Sequence, residues 1–147
     1  MSDTHEGGCA CGDVRYRVRG QPVVTIACHC RFCQKQLGSA FRTAAWFDEK
    51  SVELTKGRLT LYEHRSDESG RWVRMEFCGR CGSTVSHTAE ARPGARAMAV
   101  GTFDDPGWVK LDRHIWTRSM RPWFAIPPGV AVFPEGSTGA PNPPRPG

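Results

Sequence analysis

The chain has 147 residues, 20 Lys+Arg against 15 Asp+Glu, a formal charge of +5 and seven cysteines. That length suits one domain with one core, and no apolar run approaches the roughly 20 residues of a membrane-spanning helix, so no membrane partner is expected. The basic residues are scattered without a dense block, which argues against nucleic acid as a partner.

The opening MSDTHEGG is polar and has no apolar core of a signal peptide. A cytoplasmic, reducing location is therefore expected, where cysteines report metal binding or catalysis more than disulfides. DVRYRVR, 13–19, alternates strictly: Val14, Tyr16 and Val18 on one face, Arg15, Arg17 and Arg19 on the other. That is the pattern of a half-buried strand. PVVTIA, 22–27, is β-branched and apolar, and reads as a more buried strand that leads directly into ACHCRFC. CRFCQKQL has the length of a short helical turn, and SAFRTAAWF, 39–47, returns as a strand. VELT and RLTLYEH, split by Lys56-Gly57, predict a hairpin with the glycine in the turn. RSDESG is a loop, and WVRMEF, 72–77, is a strand that again ends on a cysteine. STVSHT, RAMAVGTF and RHIW are shorter strand candidates. No segment keeps helical periodicity for three turns, so the class is all-β. The stretch 135–147, EGSTGAPNPPRPG, is rich in Pro and Gly and is expected to be disordered.

The cysteines sort into three local forms. Cys9-Ala10-Cys11-Gly12 and Cys78-Gly79-Arg80-Cys81-Gly82 are two half-sites of zinc-knuckle type, each closed by a glycine suited to a tight turn. Together they supply Cys₄, the ligand set of a closed structural zinc. Cys28-His29-Cys30-Arg31-Phe32-Cys33 places three thiols in six residues. Three protein ligands with one position open is the pattern of a catalytic zinc. Four plus three uses every cysteine, and predicts two Zn²⁺ per chain. With seven thiolates on two zinc ions the net charge falls to +2, which weakens the case for nucleic acid further. Three alternatives stand beside this. A histidine (His29, His64, His87 or His114) would close the three-cysteine site as Cys₃His. An iron–sulfur cluster would use four of the thiols and leave three unexplained. A metal-free cysteine nucleophile would have to tolerate two neighbouring thiolates.

The order and setting of these residues resemble the glutathione-dependent formaldehyde-activating enzyme family, which also includes centromere protein V-like proteins. The matching segments are GGCACGDVRY, ACHCRFCQKQLGSAF, KGRLTLYE, EFCGRCGS, VGTFDD and HIW followed by RPW, over residues 7–134. The resemblance implies a zinc-binding catalytic domain over 7–134, built of two antiparallel sheets in a tent-like arrangement. It also implies that Cys9, Cys11, Cys78 and Cys81 hold a structural zinc and that Cys28, Cys30 and Cys33 hold the catalytic one. The implied activity is carbon–sulfur lyase chemistry on a small thiol adduct, as in the joining of glutathione and formaldehyde into S-hydroxymethylglutathione. The third cysteine of the run is followed here by Gln34-Lys35, where the glutathione-specific members carry Trp-Lys. Arg31, Lys35 and Arg42 are candidates for a substrate carboxylate, although surface charge is the ordinary reading of each. Trp46, Trp72, Trp116 and Trp123 are candidates to wall a pocket, although aromatics on strands commonly serve the core. The rival function is a non-catalytic zinc-stabilised binding module for protein or nucleic acid, with the three-cysteine site closed, as by a histidine, or vestigial. The sequence leaves the oligomeric state open.

Overall fold

A computed structural model of the chain describes residues 3–136. In chain order the elements are β1 (Thr4–Gly8), β2 (Arg15–Arg19), β3 (Val24–Cys28), α1 (Arg31–Leu37), β4 (Arg42–Asp48), β5 (Val52–Lys56), β6 (Thr60–Arg65), β7 (Trp72–Phe77), β8 (Thr84–Ala89), β9 (Ala95–Ala99), β10 (Arg113–Ile115) and β11 (Ala131–Val132). The mostly-β class holds, and the strands fall into two sheets. The chain groups into two compact units: residues up to Val23 with Ala45–Trp108, and Val24–Ala44 with residues from Val109 onward. The expected tail at 135–147 lies, from residue 137 on, outside the described residues.

The first unit holds a three-stranded antiparallel sheet in the order β1-β2-β5. The alternation read in β2 has its expected consequence: Tyr16 is 1 % exposed and Val18 0 %, while the arginines face outward. The Tyr16 hydroxyl shares a 2.8 Å hydrogen bond with Thr102 Oγ1, and its ring meets the edge of Phe103. Arg15 forks onto Asp104, and Arg17 reaches Glu6 at 3.0 Å. β1 was not foreseen, because it is an edge strand held by backbone pairing and by such charge contacts rather than by a buried apolar face. The same unit carries the second half of β4 and then β9, β8, β7 and β6 as hydrogen-bonded neighbours. One expectation is corrected here: β5 and β6 are not a hairpin. β5 pairs with β2, and β6 pairs with β7 along the whole of Thr60–Arg65, so Gly57 links two different sheets. β7 pairs with β6 at six positions, and β2 pairs with β5 at four.

The second unit orders its strands β11-β10-β3-β4. β10 pairs parallel to both β3 and β11, a departure from a purely antiparallel pattern. Parallel neighbours need a long connection, and the chain between β3 and β10 provides it. The register sets Ile115 opposite Cys28 and His114 opposite Ala27. Asp112 fixes the strand entry by accepting the Thr25 N–H at 2.9 Å. α1 starts at Cys30, whose Sγ accepts the Cys33 N–H in the manner of an N-cap, and stops at Gly38 in the left-handed region.

No helix of the described residues is long and apolar enough to cross a membrane.

Candidate functional site

All seven cysteines fall into the two groups that their spacing suggests. In the first unit, one ligand atom from each of Cys9, Cys11, Cys78 and Cys81 lies within 4.8 Å of the other three. The two half-sites are built alike. The Cys9 N–H bonds the Val14 carbonyl, and the Cys78 N–H bonds the Ser83 carbonyl, five residues on in both cases. Gly12 and Gly82 then turn back to the carbonyls of Cys9 and Cys78 at 3.2 and 2.9 Å. Both glycines sit at positive φ, +83° and +77°, which a side chain at either position would strain. The ladder shifts register beside each half-site, with Thr55 of β5 the extra residue opposite Arg15 and Tyr16 and Val85 of β8 the extra residue opposite Glu76 and Phe77.

The sulfurs are spaced for a metal. Zinc–sulfur bonds of about 2.3 Å in a tetrahedron require sulfur–sulfur edges of about 3.8 Å. Cys9 to Cys11 is 3.6 Å and Cys11 to Cys78 is 3.8 Å. Backbone N–H groups already face the sulfurs, from Val14 to Cys9 at 3.2 Å and from Arg80 to Cys78 at 3.4 Å. The hydroxyl of Ser83, 3.2 Å away, together with backbone N–H bonding, holds the Cys81 thiol down at about 5. At Cys9 and Cys81 the thiol is shifted toward thiolate, the form that ligates.

The second group is Cys28, Cys30 and Cys33, again within 4.8 Å of one another. β3 delivers Cys28, the loop gives Cys30, and the first turn of α1 gives Cys33. Among the described residues no His, Asp or Glu joins this group. The three thiols are pushed apart in acidity. Bonding from Cys28 and Cys30 holds Cys33 well below the usual thiol range, helped by the Arg42 guanidinium. The same contacts, with burial, push Cys28 up. Arg42 is only 3 % exposed, and its Nε donates to Cys33 Sγ at 3.4 Å while Nη2 bonds Gln36 Oε1. A buried guanidinium needs an anion nearby, and a thiolate cluster supplies it. Arg42 is therefore removed from the list of surface charges available to a substrate carboxylate.

His29, inside the run, points away from the sulfurs. It is fully buried, and its Nε2 meets His114 Nδ1 at 2.8 Å. Its ring packs against Phe41 at 4.9 Å and Phe124 at 5.5 Å, which also touch each other. Burial, reinforced by His114, pulls the His29 imidazole down to about 4, and burial also lowers His114. The pair is thus neutral and structural to the loop. The Gln34 amide seals the same loop by donating to the carbonyls of His29 and Ser119. Sequence reasoning missed His114 as a partner, since 85 residues separate it from His29.

The tryptophans divide. Trp46 is core, and Trp72 carries the Arg74 guanidinium 3.9 Å from its ring centre. Trp116 is half-buried, and Trp123 stands out into solvent.

Residues 4–119 match the family described as glutathione-dependent formaldehyde-activating enzymes. The chain belongs to that family. The match covers both cysteine groups in full, so the resemblance drawn from the motifs holds. Among solved structures, a Rhodobacter sphaeroides protein is similar in fold, with a TM-score of 0.55 and 23 % identity over 71 % of this chain and 90 % of that one. Family and donor set agree, since two all-sulfur groups, each with its ligand atoms within 4.8 Å of one another, suit a soft or borderline metal.

Proposed function

We propose that the protein is a zinc-dependent carbon–sulfur lyase that makes or breaks the adduct of a small thiol such as glutathione with an aldehyde. The observation that carries this is the three-sulfur group: Cys28, Cys30 and Cys33 converge while no His, Asp or Glu of the described residues completes the set. That arrangement favours the enzyme over the closed Cys₃His binding module. In this reading Cys9, Cys11, Cys78 and Cys81 hold a structural zinc, and the domain runs over residues 7–134. The cytoplasm suits a protein whose seven thiols must stay reduced.

A zinc ion held by Cys28, Cys30 and Cys33 would lower the pKa of a small thiol at its fourth position and so favour thiolate at neutral pH. Three thiolate donors prefer a soft fourth partner, and a substrate sulfur is softer than water. Cys28, Cys30 and Cys33 supply the anionic donors, and Arg42 offsets their charge from within the protein. The buried His29–His114 pair and Gln34 hold the loop in shape. The reaction needs no other reagent: the thiol sulfur bonds to the carbonyl carbon, the C=O π pair moves to oxygen, and the thiol proton ends on that oxygen as the hydroxyl of the hemithioacetal. The reverse step releases thiol and aldehyde.

The test uses cobalt-substituted protein titrated with glutathione. A charge-transfer band that changes, saturates, and vanishes in Cys30→Ser is expected. Exchange spectroscopy on glutathione with formaldehyde should show adduct interconversion accelerated by the zinc protein and not by Cys30→Ser. No spectral response to any thiol would return the protein to the binding-module reading.

A further inference from the structure

Several arginines among the described residues are held in ion pairs. Arg15, Arg80 and Arg96, for example, each pair with a carboxylate. Three cations of the second unit are different. Arg31, Lys35 and Arg121 line one cavity of about 520 Å³, and no acidic residue lines it with them. Among the described residues no carboxylate pairs with any of the three. Arg31 gives Nη1 to the Gln34 side chain, and Arg121 gives Nη2 to the Ser119 carbonyl. The Arg121 Nε is buried with no hydrogen-bond partner, which is costly for a charged donor. Lys35 is exposed. Trp123, 73 % exposed, completes the wall, beside the small residues Ser39 and Ala40.

Unpaired guanidinium groups in a concavity of ligand size, next to a bare indole, are the features of a site for an organic anion. A carboxylate would pair with the Arg31 and Arg121 guanidinium groups that line the cavity and relieve the mutual repulsion of the three cations. The indole offers a flat apolar surface to the rest of such a ligand. The placement adds a link to the sulfur chemistry: α1, which provides Cys33, also provides Arg31, Gln34 and Lys35 on a single face, at i, i+3 and i+4.

We infer that this cavity takes the carboxylate-bearing end of the thiol substrate, with Arg31, Lys35 and Arg121 as anion contacts and Trp123 against its apolar part. The inference rests on the reading of Cys28, Cys30 and Cys33 as the thiol site, and its consequence is selection of carboxylated thiols over neutral ones.

The test separates the two ends of the ligand in the full-length, metal-loaded protein. S-methylglutathione keeps the carboxylates and blocks the sulfur; 2-mercaptoethanol keeps the sulfur and has no carboxylate. By calorimetry, S-methylglutathione should bind, more weakly as salt rises. Its affinity should fall about tenfold or more in Arg31→Gln/Arg121→Gln, the scale expected for lost charged hydrogen bonds. Lys35→Gln, an exposed change that leaves folding alone, should cost about two- to fivefold. The cobalt response to 2-mercaptoethanol should be the same in all three proteins. Absence of S-methylglutathione binding, or unchanged affinity in both variants, overturns the inference. So does inorganic phosphate binding as tightly as S-methylglutathione, which would mark a bare anion site. If 2-mercaptoethanol gives no response while S-methylglutathione binds with the expected charge dependence, the cavity stands as a carboxylate site and the thiol reading of the cysteines falls.

Discussion

The two sulfur groups differ in how much chain they join. Cys28, Cys30 and Cys33 lie within six residues, on the end of one strand and the first turn of one helix. Cys9 and Cys11 meet Cys78 and Cys81, with Cys11 and Cys78 67 positions apart in the chain. A metal on the second group would tie down a loop that is already short. A metal on the first would close a loop of nearly half the chain, which in a chain-entropy account is worth about 4 kcal/mol against a typical domain stability of about 5–15 kcal/mol. In the proposed reading the same metal would serve different ends: one group would stabilise the fold, and the other, one ligand short, would be free for chemistry.

The strongest way to break this contrast is to remove one ligand from each group. Cys81→Ser should yield insoluble or unfolded protein, read by circular dichroism and sedimentation. Cys30→Ser should keep the wild-type spectrum and lose only the second metal and any activity. Zinc-loaded wild type should carry close to two zinc ions per chain, and mild chelation should take the one on Cys28, Cys30 and Cys33 first, because it has fewer protein ligands. Equal folding of both mutants, or one metal per chain, would end the division into structural and reactive groups.

The contrast was readable in the sequence because ligands on a tight turn must be neighbours. C-x-C-G, C-x-x-C-G and C-x-C-x-x-C announce themselves without any tertiary information. The alternating strand at 13–19 was legible for the same local reason. What stayed hidden depends on register between distant segments. The partition of β5 and β6 into two sheets follows from what β2 and β7 offer them, which no turn rule at Lys56-Gly57 could reveal. The His29–His114 contact follows from the parallel pairing of β10 with β3. Arg42 is nine residues from Cys33 and looks like any surface arginine until β4 places it beside the sulfur.

Arg42 offers a finer probe of the second group alone. Replacing it with Gln removes the buried positive charge and the donor to Cys33 Sγ while keeping a polar group near Gln36. Zinc affinity at the second group should fall about 10- to 100-fold, the usual penalty for losing an outer partner of a metal ligand. Affinity at the four-cysteine group should not move, because Arg42 belongs to the other unit. Competition with a chromophoric chelator separates the two sites. A uniform loss at both would show a general folding defect, and no loss would show that the thiolates need no internal counter-charge.

The smallest expected effect concerns the support of the loop, and its sign follows from burial. His114 is buried, and burial lowers its pKa below the ordinary 6.5. The unfolded chain therefore binds a proton at His114 more readily than the folded one. Its contribution to stability is fully present above about pH 6.5 and is lost as the pH falls toward the lowered folded value. The other titratable group facing it is His29, which burial, with His114, holds down to about 4, so both act in the same direction. His114→Gln keeps a hydrogen-bonding group toward His29 and cannot take up a proton. Between pH 6.5 and 5 the wild type should lose stability more steeply than this variant, by at most about 1.4 kcal/mol per pH unit, with zinc content measured at each pH so that metal release is separated from the histidine term. Parallel stability curves for the two proteins would show that His114 does not change protonation between the folded and unfolded chains over that range, and would leave the cysteines to account for any acid lability.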